Sequence, residues 1–140
     1  MGLQVLRLCA VILVIIACLQ PIIAYVSNRC FQSNRGLSHG CNLSILRRFP
    51  YNNAFVKPCN RHNICYRCGS KFSKTRLYCD HIFLHDMLEV CKRMPYLRIA
   101  RCKSYAGRVY YKAVRVGGLF FFRKTPKYEC SQRWVRSCFA

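Results

Sequence analysis

The chain has 140 residues, twenty-four Lys and Arg against four Asp and Glu, a formal net charge of +20, and twelve cysteines. A chain of this length fits one compact core and has no obvious room for a second. So large an excess of positive charge attracts anionic partners, whether lipid head groups, sulfated glycans or nucleic acid; the plain alternative is a basic surface that only keeps a small protein soluble.

Residues 1–24 read as a secretory signal peptide. Arg7 supplies the positive start, Leu8 to Leu19 an apolar centre, and Ile22-Ile23-Ala24 a small residue at a cleavage point. The apolar run falls short of the roughly 20 residues that cross a bilayer, and Gln20 and Pro21 close it. The expected product is a secreted, extracellular domain over 25–140, about 116 residues long and carrying about +19. Export removes nucleic acid from the expected partners. It also leaves ten cysteines, since Cys9 and Cys18 fall in the signal, and an even number in a short exported chain implies a disulfide framework of up to five bridges.

Tyr25 to Pro50 is loop-like, interrupted by Asn28, Ser33, Asn34, Gly36, Ser38, Gly40 and Asn42. A first helix is expected from about Asn53 or Pro58 to Cys68, stopped by Gly69, with Pro58 tolerable in the first turn. The second runs from about Lys74 to Arg93, because Asp80, Phe83, Leu84, Met87, Cys91 and Met94 fall on one stripe of a 3.6-residue period, and Pro95 ends it. Arg98 to Lys103 adds a short turn. Arg108–Val116, then Gly117-Gly118, then Leu119–Lys124 reads as a β-hairpin, two β-branched and aromatic runs around a two-residue turn. The fold class expected is therefore mainly α with a small β-hairpin.

On the first helix His62 shares a face with Cys65 at i+3 and Tyr66 at i+4. Asp80 opens the buried stripe of the second, where an unpaired carboxylate is costly, and His62 is its natural partner. His62 is then either a core histidine satisfied by Asp80 or a catalytic base. Cys59, His62, Cys65 and Cys68 also have zinc-ligand chemistry, although an oxidising export route favours bridges. His81 and His85, at i and i+4, read as solvated surface with no third metal ligand evident.

The run Cys59-Asn60-Arg61-His62-Asn63-Ile64-Cys65-Tyr66, followed by Cys79-Asp80, resembles the active-site helices of secreted phospholipases A2, in which the pattern is Cys-x-x-His-Asp-x-Cys-Tyr. It is similar in particular to the conodipine-type enzymes of cone-snail venom, through His39-Gly40-Cys41, Cys65-Tyr66-Arg67-Cys68-Gly69, and Cys79, Asp80, Phe83, Met87, Val90 and Cys91. The likeness covers roughly Gly36 to Cys91. It implies a disulfide-rich two-helix core, His62 as general base, Asp80 as the carboxylate that fixes its tautomer, and a Cys65–Cys79 bridge stapling the helices antiparallel. It also implies calcium as cofactor, and here the chain departs from the pattern. The position of the calcium-holding Asp is Asn63, which offers only a neutral carbonyl, with the Gly40 backbone as a weak further ligand. No Asp or Glu occurs from Tyr25 to Cys79, Arg47-Arg48 would repel a cation, and Asn42-Leu43-Ser44 is a glycosylation sequon beside the loop. Calcium affinity is expected to be poor.

Past Arg93 the chain interleaves basic and aromatic residues, a composition suited to an anionic membrane interface. Phe120, Phe121 and Phe122 cannot all point inward on a strand. The reading is a secreted phospholipase A2-like protein that binds anionic phospholipid membranes with hydrolysis weak or lost. The alternatives are an active calcium-dependent phospholipase A2 using His62 and Asp80, and a basic toxin or ligand for a receptor or sulfated glycan.

Overall fold

The computed structural model describes Cys30, Gly40, Cys41 and residues 49–139. The expected signal peptide, the Asn42 sequon and Arg47-Arg48 lie outside these residues. Helix α1 spans Val56–Cys68 and α2 Arg76–Lys92. Pro58 is the third residue of α1, where a missing N–H breaks no intrahelical bond. The α-helix ends at Cys68 with Gly69 as its C-cap, as expected, but the glycine does not turn the chain away. It keeps right-handed helical angles and leads into a 3-10 turn, Gly69–Phe72, that ends at Ser73 with φ 54°. A Cβ on Gly69 would sit 3.3 Å from Cys79 Sγ, so the glycine allows a close approach to a bridge. Thr75 caps α2, its hydroxyl accepting the Tyr78 N–H at 3.1 Å.

The α1–α2 pair is the frame. Cys65 pairs with Cys79, His62 with Asp80 and Arg61 with Asp86, so numbers fall along one helix as they rise along the other and the two are antiparallel. The Cys65–Cys79 bridge is present as the resemblance implied.

Pro95 caps a third helix instead of only ending the second. Helix α3, Tyr96–Tyr105, passes without a break into a π-helical segment, Ala106–Tyr111, and then α4, Lys112–Gly117, closed by a 3-10 turn at Gly118–Phe120. The expected β-hairpin is absent, and no strand occurs among the described residues. The reason is packing: Cys102, Ala106, Tyr110, Val114 and Gly118, each four residues on, are buried. An ideal 3.6-residue helix overshoots a full turn in four residues, so such a stripe drifts around it, and the wider π turn takes back part of the drift. Burial of that stripe overrides the β-propensity of Val and Tyr. A further 3-10 turn, Tyr128–Ser131, and a one-turn helix α5, Arg133–Arg136, complete the chain.

The main core gathers Phe55, Phe83, Met87, Tyr110 and Val114, with Phe55 and Tyr110 edge to face at 5.0 Å. A second cluster, Ile64 and Val135 with the Cys68–Cys130 and Cys30–Cys138 bridges, fastens the C-terminal segment to the other side of α1. With Cys41–Cys59 and Cys91–Cys102, five disulfides use all ten cysteines that follow the expected signal. Among the described residues no helix is long and apolar enough to cross a membrane.

Candidate active site

The antiparallel pairing brings His62 Nε2 to 3.0 Å from Asp80 Oδ1. Both side chains are buried, Asp80 completely. A carboxylate with no accessible surface needs donors, and Asp80 has them on each oxygen. The Tyr66 hydroxyl donates to Oδ1 at 2.6 Å, Arg115 Nη1 donates to Oδ2 at 2.6 Å, and Arg76 Nη1 stands 3.5 Å from Oδ2. Burial alone would push the Asp80 carboxyl up, but the hydrogen bonds from His62, Tyr66 and Arg115 outweigh it and hold it below the usual carboxylate range. The His62 imidazole moves down because burial penalises the imidazolium more than Asp80 favours it. The Tyr66 phenol moves up, through burial and then its bond to Asp80.

An ionised carboxylate only accepts, so Nε2 carries the ring proton and Nδ1 keeps the lone pair. Rings of Tyr66 and Phe83, at centroid distances of 4.1 and 4.6 Å, fix the plane of the imidazole. Chemically this is a neutral, oriented imidazole able to take a proton from a water.

Asn63, one residue along α1, faces the loop. Its Nδ2 donates to the Gly40 carbonyl at 3.0 Å, while the Gly40 N–H donates to Asn60 Oδ1 at 2.7 Å. Gly40 has φ 69°, a left-handed conformation that favours glycine, and the neighbouring Cys41–Cys59 bridge ties the same loop to α1. A carbonyl oxygen can only accept, so the amide must present its nitrogen and turns a donor toward the place where a cation would need oxygens. The four carboxylates of the chain supply no substitute: three lie on α2, with Asp80 engaged, Asp86 bonded to Arg61 and Glu89 paired with Lys92, and Glu129 lies on the Tyr128–Ser131 turn. Among the described residues no group of carboxylates, histidines and cysteines is placed to hold a metal, whereas Ca²⁺ takes about six to eight oxygens and favours carboxylate.

Sequence reasoning paired His62 with Asp80 and missed the two arginines. Arg76 was legible as the residue one turn before Asp80, an i,i+4 ion pair. Arg115 was hidden by reading its segment as a strand. Cys59, Cys65 and Cys68 are each in a disulfide, which removes the thiolates a zinc site would need. His81 and His85 are both exposed; His81 lies against Tyr111 and His85 beside Asp86 and Glu89.

A buried imidazole–carboxylate pair on two antiparallel, disulfide-stapled helices is the frame of a phospholipase A2. The family model for prokaryotic phospholipase A2 matches residues 21–118, and the chain belongs to that family. Among curated relatives, conodipine-P3 of Conus purpurascens is 39% identical over 57 residues, which is 41% of this chain and 31% of that protein. The conodipine-M alpha chain of Conus magus is 33% identical over 54 residues, 39% of this chain and 69% of that one. The match thus spans about a third of the length of the first of these relatives. No solved structure matches.

Proposed function

We propose that this chain is a secreted phospholipase A2-type protein, made with a cleaved signal over residues 1–24, that binds anionic phospholipid membranes, and that its calcium-dependent hydrolysis of the sn-2 ester is weak or lost. The observation that carries the second part is the Asn63–Gly40 hydrogen bond, 3.0 Å long. In the family the residue after the histidine is a carboxylate that shares a cation with the loop. Here the two groups are bonded to each other, and the amide hydrogen takes the cation's place. Membership of the family supports a lipid substrate, and the +20 charge supports an anionic surface as its setting.

The second reading, an active enzyme, is favoured by the intact His62–Asp80 pair. In it, His62 Nδ1 removes a proton from a water that attacks the ester, while Asp80 holds the tautomer and steadies the imidazolium. Release of fatty acid from phospholipid vesicles, with and without millimolar Ca²⁺, separates the two. The expected result is little release in either condition, and at least about a tenfold calcium-dependent gain in Asn63→Asp, since stabilising the oxyanion is a large term. Brisk calcium-dependent release by the unaltered protein would establish the second reading instead.

A further inference from the structure

The corner that closes α4 carries an apolar tip. Within six residues Val116 is 77% exposed, Leu119 65%, Phe120 89% and Phe121 59%. Single exposed apolar residues are ordinary, whereas a contiguous group marks an interaction site. The tip is not a frayed end. Gly118 lies so close under Tyr66 that a Cβ would stand 2.2 Å from its hydroxyl, and the Phe122 ring meets Tyr66 edge to face at 5.7 Å. The Arg123 N–H donates to the Tyr66 carbonyl at 3.0 Å, and the Phe121 and Phe122 N–H groups donate to the Gly118 carbonyl. The corner is therefore anchored on a buried tyrosine while its own side chains face outward.

The stretch of sequence that carries it is strongly cationic. From Val90 to Tyr128 there is no Asp or Glu and there are eleven Lys and Arg. Lys112 lies one turn before Val116 on α4, and Arg123 and Lys124 follow directly after Phe122. The family model ends at residue 118, so Leu119, Phe120 and Phe121 lie beyond what the match accounts for.

We propose that Val116, Leu119, Phe120 and Phe121 form an insertion tip that seats the protein on an anionic phospholipid bilayer. The apolar side chains enter the boundary between head groups and acyl chains, and Lys112, Arg123 and Lys124 meet the phosphates around it. Charge selects this occupant. A second copy of the chain is the other partner an apolar tip invites, but it brings the same +20 field and is repelled. This inference rests on the membrane-binding part of the proposed function and not on hydrolysis.

The test uses ether-linked phosphatidylglycerol–phosphatidylcholine vesicles, which contain no ester to cut, and reads partition by co-sedimentation. The unaltered protein is expected to bind, and Leu119→Ser/Phe120→Ser/Phe121→Ser to lose at least about tenfold in partition with unchanged circular dichroism. In a Trp134→Phe background, Phe120→Trp should shift to the blue and be quenched by brominated lipid. A triple variant that binds as well as the parent, or a Trp at position 120 that lipid bromine does not reach, overturns the tip while leaving membrane binding in place. A parent that ignores anionic vesicles overturns both. A triple variant that changes the sedimenting mass of the free protein and not its vesicle binding makes the tip a contact between copies, which also overturns the proposal.

Discussion

Arg115 and His62 hold Asp80 by different oxygens, Nη1 to Oδ2 at 2.6 Å and Nε2 to Oδ1 at 3.0 Å. The carboxylate that supports the imidazole is thus already neutralised by a guanidinium, which weakens its pull on an imidazolium. Removing that cation in Arg115→Gln should raise the pKa of His62 and also that of Asp80, because the neighbouring positive charge disfavours a proton on either. A ring-proton NMR titration reads the first shift directly. A His62 pKa that fell or stayed put would show that Arg115 does not govern the pair.

Acid should weaken the fold in two stages. The folded chain resists protonating His62, whose pKa lies below the ordinary 6.5, while the unfolded chain takes that proton freely. Stability therefore declines as pH falls below about 6.5, until His62 protonates in the folded state too. Asp80 acts lower down: its folded pKa lies below the ordinary 3.8, so its contribution is present above that value and is lost as pH falls through the folded pKa. Melting temperature against pH should show both limbs, and His62→Gln should remove the upper one.

Two adjacent glycines offer an internal control. A methyl at Gly118 would meet the Tyr66 hydroxyl at 2.2 Å, so Gly118→Ala must displace the tyrosine that donates to Asp80 and should cost about 1–3 kcal/mol. A methyl at Gly117 meets nothing within 4 Å, and that residue already has helical angles, so Gly117→Ala should be neutral or stabilising by about 0.5 kcal/mol. Urea unfolding of the two variants side by side tests the pair, and equal midpoints would contradict the packing around Tyr66.

The bridges should differ in worth. Cys68–Cys130 spans 62 residues and Cys91–Cys102 spans 11. On chain-entropy grounds, replacing both cysteines by Ala should cost about 4 kcal/mol for the first and about 3 kcal/mol for the second. The longer bridge also pins the cluster around Val135 to α1, which adds to its loss. Chemical denaturation of the two double variants gives the ranking.

The parts of this molecule written in local spacing were legible. The 3.6-residue stripe of Phe83, Met87 and Cys91 gave α2, and its first member, Asp80, pointed to His62 because a buried carboxylate must be paired. The Cys65–Cys79 bridge came from resemblance, since ten cysteines do not declare their partners. What failed was the stretch from Arg108 to Lys124. Val109, Tyr110, Tyr111, Val114 and Val116 favour strands by type, and the Gly-Gly pair mimics a hairpin turn. The competing signal was the buried repeat of Ala106, Tyr110, Val114 and Gly118, too wide for an ordinary helix and accommodated by a π segment. With that segment misread, Arg115 could not be seen as a partner of Asp80. The Asn63–Gly40 bond was half visible: the missing carboxylate could be read directly, but not the amide's turn toward the loop.

The Cys30–Cys138 bond joins positions 108 residues apart, so almost the whole described molecule lies inside one covalent ring, braced by four inner crosslinks. A protease that nicks any one peptide bond between those two cysteines releases nothing; both pieces stay tethered until a reductant arrives. For this chain, being cut once and being destroyed are then separate events.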